Sequence, residues 1–517
     1  MMQKSVNPGL ILIPVWAAVA AWHPFLVGFF SDDWPLFAAP YPGLYTLNNP
    51  RPGFNVLLFL WNSIHSGSTF LCQGGTALLF LAAAYSVYAL TAELLRQYEM
   101  DAENTRLGAT LAAIGYLIAP WGTVFSFWNT LALTLVAQIS IVQGLLLLIR
   151  NGPLASAKKI LHILAGMGFI LLGLLIYEAY LPLFLPVLIL LWGTQKWTLR
   201  DCAQMAVWIG GALIIFALFR LSLVDSFGGK SVSMFPWKLF AFNLKKHAGM
   251  GGALKPVPIF LLWGGVTVFV ISAVLGGARA VRMVRVAGAA TVAGVLGNSL
   301  LYAFAGYGIT GTGVMSRTLA SQSIYFSLFI GMIVPAIQNR NFGRNSRVSS
   351  QERHSYLLMA LSLLFLFSIC AYATVLRSAE WVDLWKRQLA VLESFPQFSL
   401  QQELSRTSSK VSTLLVQIDD HSGGEVFGVG YEIGGALLWR YPELQAHTAS
   451  IRSTFVARED DWRTTWAAGG PLTQSWCGND ASVIYRLEYA DQLIYIHVGK
   501  NTQSVQLITD SWEGGCE

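Results

Sequence analysis

The stretch "GFFSDDWPLFAAPYPGLYTLNNPRPGF", residues 28–54, decides how the rest of the chain is read. It follows about twenty apolar residues and carries two adjacent acids, Asp32 and Asp33, with Trp34 directly after them. It closes on Asn48, Arg51 and Pro52, just before a second apolar piece. A helix needs about 20 apolar residues to cross a bilayer. The acids therefore stand where the chain leaves a membrane, and their meaning depends on the side they face.

Composition supports that frame. Of 517 residues, 54% are hydrophobic and 12% charged, where a soluble domain carries about 25% charged residues. One large water-soluble core is excluded, and an α-helical polytopic membrane protein is expected. About eleven transmembrane helices are predicted, at residues 9–30, 70–95, 107–127, 130–149, 160–177, 179–192, 202–223, 257–276, 286–305, 319–337 and 356–376. The sixth is short and contains Pro182 and Pro186. Residues 54–64 are too few to span and are expected to lie along the interface.

Charge sets the orientation. With the N-terminus and Lys4 in the cytoplasm, fifteen Lys and Arg fall on the cytoplasmic side, among them Arg96, Arg150, Lys196 and Arg282, and seven fall opposite. That is the positive-inside bias. "AVA" at residues 18–20 resembles a signal-peptide cleavage site, but the apolar run continues to Phe30, which favours a retained span. Asp32 and Asp33 then face outside.

The chain divides near residue 376. Residues 1–376 hold 23 Lys and Arg against 10 Asp and Glu, and residues 377–517 hold 11 against 18. Eleven spans place this acidic tail outside. Residues 378–400 have helical spacing and read as a stalk, and residues 426–441 read as a helix. The segments "VSTLLVQ", "SVIYRLEYA" and "LIYIHVG" have the content of strands. A small C-terminal extracytoplasmic α/β domain is expected. The basic residues are scattered through short loops, which argues against nucleic acid. Cys72, Cys202 and Cys370 read as packing residues, and Cys477 and Cys516 could pair in an oxidising compartment.

Four outward segments carry polar residues that composition does not require. They are the opening stretch, residues 225–255 with Lys245, Lys246 and His247, residues 306–323 with Arg317, and "YEAY", Tyr177 to Tyr180, with Glu178. The aspartates allow two readings. Ser31 or Asp32 could cap a short helix containing Pro35, or a carboxylate could act as a general base on a sugar hydroxyl. Neighbouring side chains point in different directions, so the pair is expected to divide its work, one acid facing the acceptor and the other a metal or a backbone cap. Two adjacent acids are an incomplete site for Mg²⁺ or Mn²⁺, and adjacency argues against a glycosidase. Arg51, Arg317 and Arg220 lie at outer ends, where they would either snorkel or grip a phosphate in a bidentate fashion. Glu178 reads as an interfacial residue or a ligand. Trp34, Trp121, Trp128 and Trp237 read as an aromatic belt, with sugar stacking as the alternative.

The order of an N-terminal span, "SDDW" in the first outer loop and "NNPRPGFNVLLFLWNSIHSG" leading into the second span resembles the GT-C membrane glycosyltransferases. The resemblance implies transfer of a sugar from a polyprenyl-phosphate donor to a glycan, lipid or protein acceptor on the outer face of a bacterial inner membrane. It implies Asp32 or Asp33 as catalytic residue. It assigns the donor phosphate to Arg51 and Arg317, with Lys245, Lys246 and Arg220 behind them. Trp34, Asn48, Tyr177, Glu178 and His247 are expected at the acceptor and sugar. Several members carry another acid after the third span, whereas "PWGTVFSFWNT" here has none. The rival readings are a transporter or flippase, which would need ionisable residues at span midplanes, and a non-catalytic scaffold with a sensing tail. Almost no ionisable residue falls at a midplane.

Overall fold

The computed structural model describes residues 9–30, 33–34, 51–65, 67–152, 157–194, 196–222, 237–248, 259–275, 278–304, 320–338, 350–406, 412–418, 427, 430–447, 451–457, 473–475, 482–484, 492–498 and 503–509. The statements below concern these residues.

The first segment is helical but not uniform. α1 (Gly9–Trp16) contains Pro14, passes into a π-helical turn (Ala17–Ala21), and α2 (His23–Leu26) begins with Pro24 in its first turn. The helix ends at Val27, whose backbone is extended, so residues 27–30 lie outside it, although the apolar run continues there. α3 (Pro52–His65) is the expected interfacial piece. It buries Phe54 and Leu58 and exposes Val56, Phe59, Leu60 and Ile64. Proline at its first position suits a helix start, where the missing N–H has no intrahelical partner.

The packed centre is made by α4 (Thr69–Gln97), α5 (Ala102–Ile118) and α8 (Thr134–Asn151). Side chains cap the first two, Ser68 accepting from Leu71 N and Asp101 from Asn104 N. After α5 the chain bends by 56° through a 3₁₀ turn (Pro120–Gly122) into α6 (Thr123–Phe127), and α7 (Asn129–Ala132) leads into α8. α9 (Ala157–Ile176) returns along α8. The short sixth stretch is a 3₁₀ turn (Glu178–Leu183) holding Pro182, followed by α10 (Phe184–Trp192). There follow α11 (Leu199–Ser222), α12 (Trp237–Ala248), α13 (Ile259–Leu275), α14 (Ala278–Phe304), α15 (Gln322–Gln338) and the 44-residue α16 (Ser350–Glu393).

Six helical segments are long and apolar enough to cross a membrane: Gly9–Leu26, Thr69–Gln97, Asn129–Asn151, Leu199–Phe219, Ala280–Phe304 and Leu357–Glu393. The bent pair Ala102–Ile118 and Pro120–Phe127 makes a seventh. Ile160–Ile176, Glu178–Trp192, Trp263–Leu275 and Gln322–Pro335 are apolar but shorter. Each segment falls on one of the eleven predicted stretches. The chain is thus a multi-pass α-helical membrane protein.

Glycine sets the closest approaches. A Cβ on Gly144 of α8 would stand 2.6 Å from the Gly166 carbonyl of α9, and one on Gly108 of α5 would stand 2.4 Å from that of Gly331 in α15. Small residues let backbones meet where lipid provides no hydrophobic drive for helix association.

α16 runs without a break across residue 376, and α17 (Gln397–Arg406) follows it. Beyond lies a four-stranded sheet of order β2-β1-β5-β6, made of β1 (Ser412–Ile418), β2 (Ile451–Ala457), β5 (Gln492–Val498) and β6 (Gln503–Thr509). β1 is parallel to β2 and to β5, and β5 is antiparallel to β6. α18 (Gly430–Arg440) makes the crossover that a parallel pair requires. β3 (Thr473–Ser475) and β4 (Ser482–Ile484) form a separate antiparallel pair. The expected strands appear as β1, β4 and β5, and the expected helix as α18. β2, β3 and β6 are additional.

Polar contacts tie both ends of the bundle. Where α4 and α8 finish, buried Glu93 accepts from Arg96 (3.1 Å), Arg150 (3.0 Å) and Gln97 (3.2 Å), and Arg282 donates to the Gly193 carbonyl. Where α4 and α8 begin, Thr76 donates to Asn129 at 2.7 Å. Residues 129–151 cover about 34 Å as a helix. The arginine-rich end and the Asn129 end therefore stand on opposite sides of the bundle.

Candidate active site

The first loop reaches the Asn129 end and is held there from two sides. On the polar side Asp33 is fully buried. Its Oδ1 accepts from Thr130 N (2.7 Å) and Thr130 Oγ1 (2.6 Å). Its Oδ2 accepts from Asn129 N (3.1 Å), Asn129 Nδ2 (2.8 Å) and Phe30 N (3.2 Å). The N–H groups of Asn129 and Thr130 open α7, so Asp33 caps that helix from 96 and 97 residues away. Gln73 of α4 continues the network, donating to the carbonyls of Gly28 (2.5 Å) and Phe127 (2.9 Å). His23 Nδ1 donates to the Ser126 carbonyl at 2.7 Å.

Two effects compete at Asp33. Burial pushes its carboxyl up, to about 7 from an ordinary 3.8, while the donors from Thr130, Asn129 and Phe30 pull it back toward the anion. The bonding pattern suits an anion, since all five groups, from three residues, donate. A carboxylate has about four lone-pair sites, so Asp33 has none left for a substrate proton or a divalent cation. Among the described residues no three His, Cys, Asp or Glu side chains gather as a metal site.

The other side of the loop is aromatic. Trp34 is fully buried and stacks on Trp385 of α16, with centroids 5.6 Å apart and planes at 21°. Phe29 (5.6 Å) and Trp439 of α18 (5.5 Å) meet it edge-on, and Phe427 lies 6.1 Å away. Phe30 meets Trp381 at 4.8 Å, and Trp381 stacks on Phe127. Gly28 lies so close under Trp385 that a Cβ would come 2.2 Å from the ring. Enclosed in this way, Trp34 presents no open face for a sugar.

A second pair forms at the start of α3. Arg51 Nε and Nη2 donate to Glu178 Oε2 (2.9 Å) and Oε1 (2.8 Å), and the guanidinium sits 4.8 Å above the Tyr177 ring. The side chains are 31% and 25% exposed, so the pair is only partly buried. Thus Arg51, Tyr177 and Glu178, expected on two separate outer segments, come together. Lys245 is exposed on α12, which is fastened to the Asn129 side of α14 through buried Asn243 donating to the Ser299 carbonyl. Arg220 falls in α11, and Lys246 and His247 in α12, with side chains outside the described residues. Asp32, Asn48 and Arg317 lie outside the described residues altogether.

The sequence reading missed Asn129, Thr130, Gln73 and the indoles of Trp381, Trp385 and Trp439. One signal was present. The "FWNT" turn has two hydrogen-bonding side chains after an apolar run, and a buried acid needs donors.

No family model matches the chain, and no curated protein matches it. Among solved structures it is similar to the crystal structure of ArnT from Cupriavidus metallidurans bound to undecaprenyl phosphate. The likeness covers 90% of this chain and 91% of that one, at 12% identity and a TM-score of 0.48. At those values it carries no weight for the site or its chemistry.

Proposed function

We propose that the chain is a GT-C-type membrane glycosyltransferase. It moves a sugar from a polyprenyl-phosphate donor to a lipid, glycan or protein acceptor at the Asn129 end of the bundle. That end is the outer face of a bacterial inner membrane, with the N-terminus cytoplasmic and the C-terminal unit periplasmic. The observation that carries this reading is that three outer segments meet in two pairs, the opening stretch being joined both to residues 127–130 and to Glu178. Asp33 is bonded to Asn129 and Thr130, Arg51 is joined to Glu178, and both pairs lie opposite the arginine-rich end.

The acids divide their work in this reading. Asp33 spends its lone pairs on Asn129 and Thr130 and fixes the loop. Asp32 is then the base. The acceptor O–H gives its proton to Asp32 as its oxygen bonds to the anomeric carbon. The bond from that carbon to the phosphate oxygen breaks, and polyprenyl phosphate leaves with inversion. Arg317 and Arg51 hold the departing charge, with Lys245, Lys246 and Arg220 along the approach. Glu178 orients Arg51 through its bidentate bonds, and Tyr177, Asn48 and His247 border the acceptor. Any Mg²⁺ or Mn²⁺ would act through Asp32.

The test is transfer in detergent from a polyprenyl-phosphate sugar. Asp32→Asn is expected to lose about 10²–10⁴-fold in kcat with an unchanged unfolding midpoint. Arg317→Ala is expected to raise the donor KM. Full turnover by Asp32→Asn overturns the assignment of the base.

A further inference from the structure

We propose that the C-terminal unit is a working part of the site, and that Trp439 is a positioning residue for the loop carrying the acidic pair. The inference rests on the glycosyl-transfer reading only for its effect on turnover.

The argument starts from connectivity. Trp34 follows Asp33 directly, so whatever fixes its ring fixes the register of the acidic pair. That ring is enclosed by Trp385 from the last third of α16 and by Trp439 from α18. Trp439 also meets Phe29 at 6.2 Å and Trp385 at 6.3 Å, so one indole touches the loop on both sides of the acids and the helix behind it. Phe427, in the segment between β1 and α18, adds a second aromatic from the same unit. The residues just after α18 carry polar ties to α16 and its continuation. Tyr441 Oη donates to the Leu392 carbonyl, and Gln397 donates to Glu443.

The polar clamp at Asp33 fixes the backbone on one side only. Without an indole on the other side, the loop could pivot about its Asn129 and Thr130 bonds. Edge-on and stacked rings resist that motion because they have preferred geometries as well as buried area. A tail appended merely for recruitment would not need to insert a tryptophan beside the first loop. The arrangement therefore makes occupancy or displacement of the C-terminal unit felt at residues 29–34.

Hydrogen exchange on the full-length protein tests this without relying on any substrate. The Phe30 and Asp33 amides are bonded within the loop, to Asp33 Oδ2 and the Phe30 carbonyl. Trp439→Ala is expected to speed exchange across residues 28–34 by about tenfold. Peptides from α4 and α8 should not change, and Trp439→Phe should restore the protection. Trp385→Ala, which leaves α18 intact, is expected to loosen the same segment and serves if Trp439→Ala disturbs the sheet. In the transfer assay Trp439→Ala should lower kcat by about tenfold with the donor KM unchanged. Unaltered exchange in Trp439→Ala with α18 folded overturns the proposal, as does a change confined to Trp385→Ala. Absence of transfer by the wild type, with exchange behaving as stated, overturns the enzymatic reading alone.

Discussion

At the scale of single residues, Asp33 has a defined set of partners. Asp33 is enclosed by five donors, and removing its carboxylate leaves the N–H and side-chain groups of Asn129 and Thr130 buried without that acceptor. A buried donor left without its acceptor costs about 1–3 kcal/mol. Asp33→Ala should therefore lose about 3 kcal/mol of stability near pH 6, read as a lower unfolding midpoint. The pH dependence has a definite sign. Burial lifts the folded value to about 7 from 3.8, so the folded chain keeps a proton that the unfolded chain has released. Wild-type stability should decline from about pH 4 to about pH 7, by up to about 1.4 kcal/mol per unit, and level off above. Asp33→Ala lacks this component, so its deficit should be largest at low pH. A deficit independent of pH would mean that the folded value is not raised above the unfolded one. None of this was legible near residue 33, because the partners lie almost a hundred residues on. The absence of an acid in "FWNT" read as a missing ligand, when that turn supplies the donors.

At the scale of elements, the spans were legible because length and apolarity are local properties of the chain. Their ends were less so. The first helix stops at Leu26 although apolar residues continue to Phe30, because Phe29 and Phe30 are buried against indoles rather than lipid. β1 and β5 were legible from their apolar content, whereas β2 and β6 carry more polar residues and escaped notice. Packing between helices was not legible at all, since a glycine in an apolar run looks alike on a lipid face and at a backbone crossing. Gly144→Val should lower the unfolding midpoint strongly, by the equivalent of about 3 kcal/mol, since its Cβ would strike the Gly166 backbone. Gly168→Ala, where a Cβ meets nothing within 4 Å, should be neutral in the same measurement.

At the scale of the whole molecule, the claim most exposed to test is sidedness. Glu93, Arg150 and Arg282 gather at one end, and Asp33, Asn129 and Arg51 belong to the other, much as the loop charges predict. Cysteines placed at Arg96 and Lys245, both exposed, report the two ends once Cys477 and Cys516 are replaced by serine. In intact cells a membrane-impermeant thiol reagent should label Lys245→Cys and leave Arg96→Cys untouched until the membrane is opened. Equal labelling of both would remove the proposed outer site.

The length of α16 has a further consequence. Its 44 residues extend about 66 Å, roughly twice the hydrocarbon core of a bilayer. Trp381 and Trp385, one turn apart, meet the loop from the same stripe of that rod. The rod thus works as a gauge with both a height and a phase. One residue inserted between Tyr372 and Trp381 would rotate the indoles by about 100° and lift them about 1.5 Å. Four would nearly recover the angle but lift them about 6 Å. No insertion or deletion of a few residues preserves both settings, so this one helix is held to a fixed count between its membrane-spanning part and Trp381.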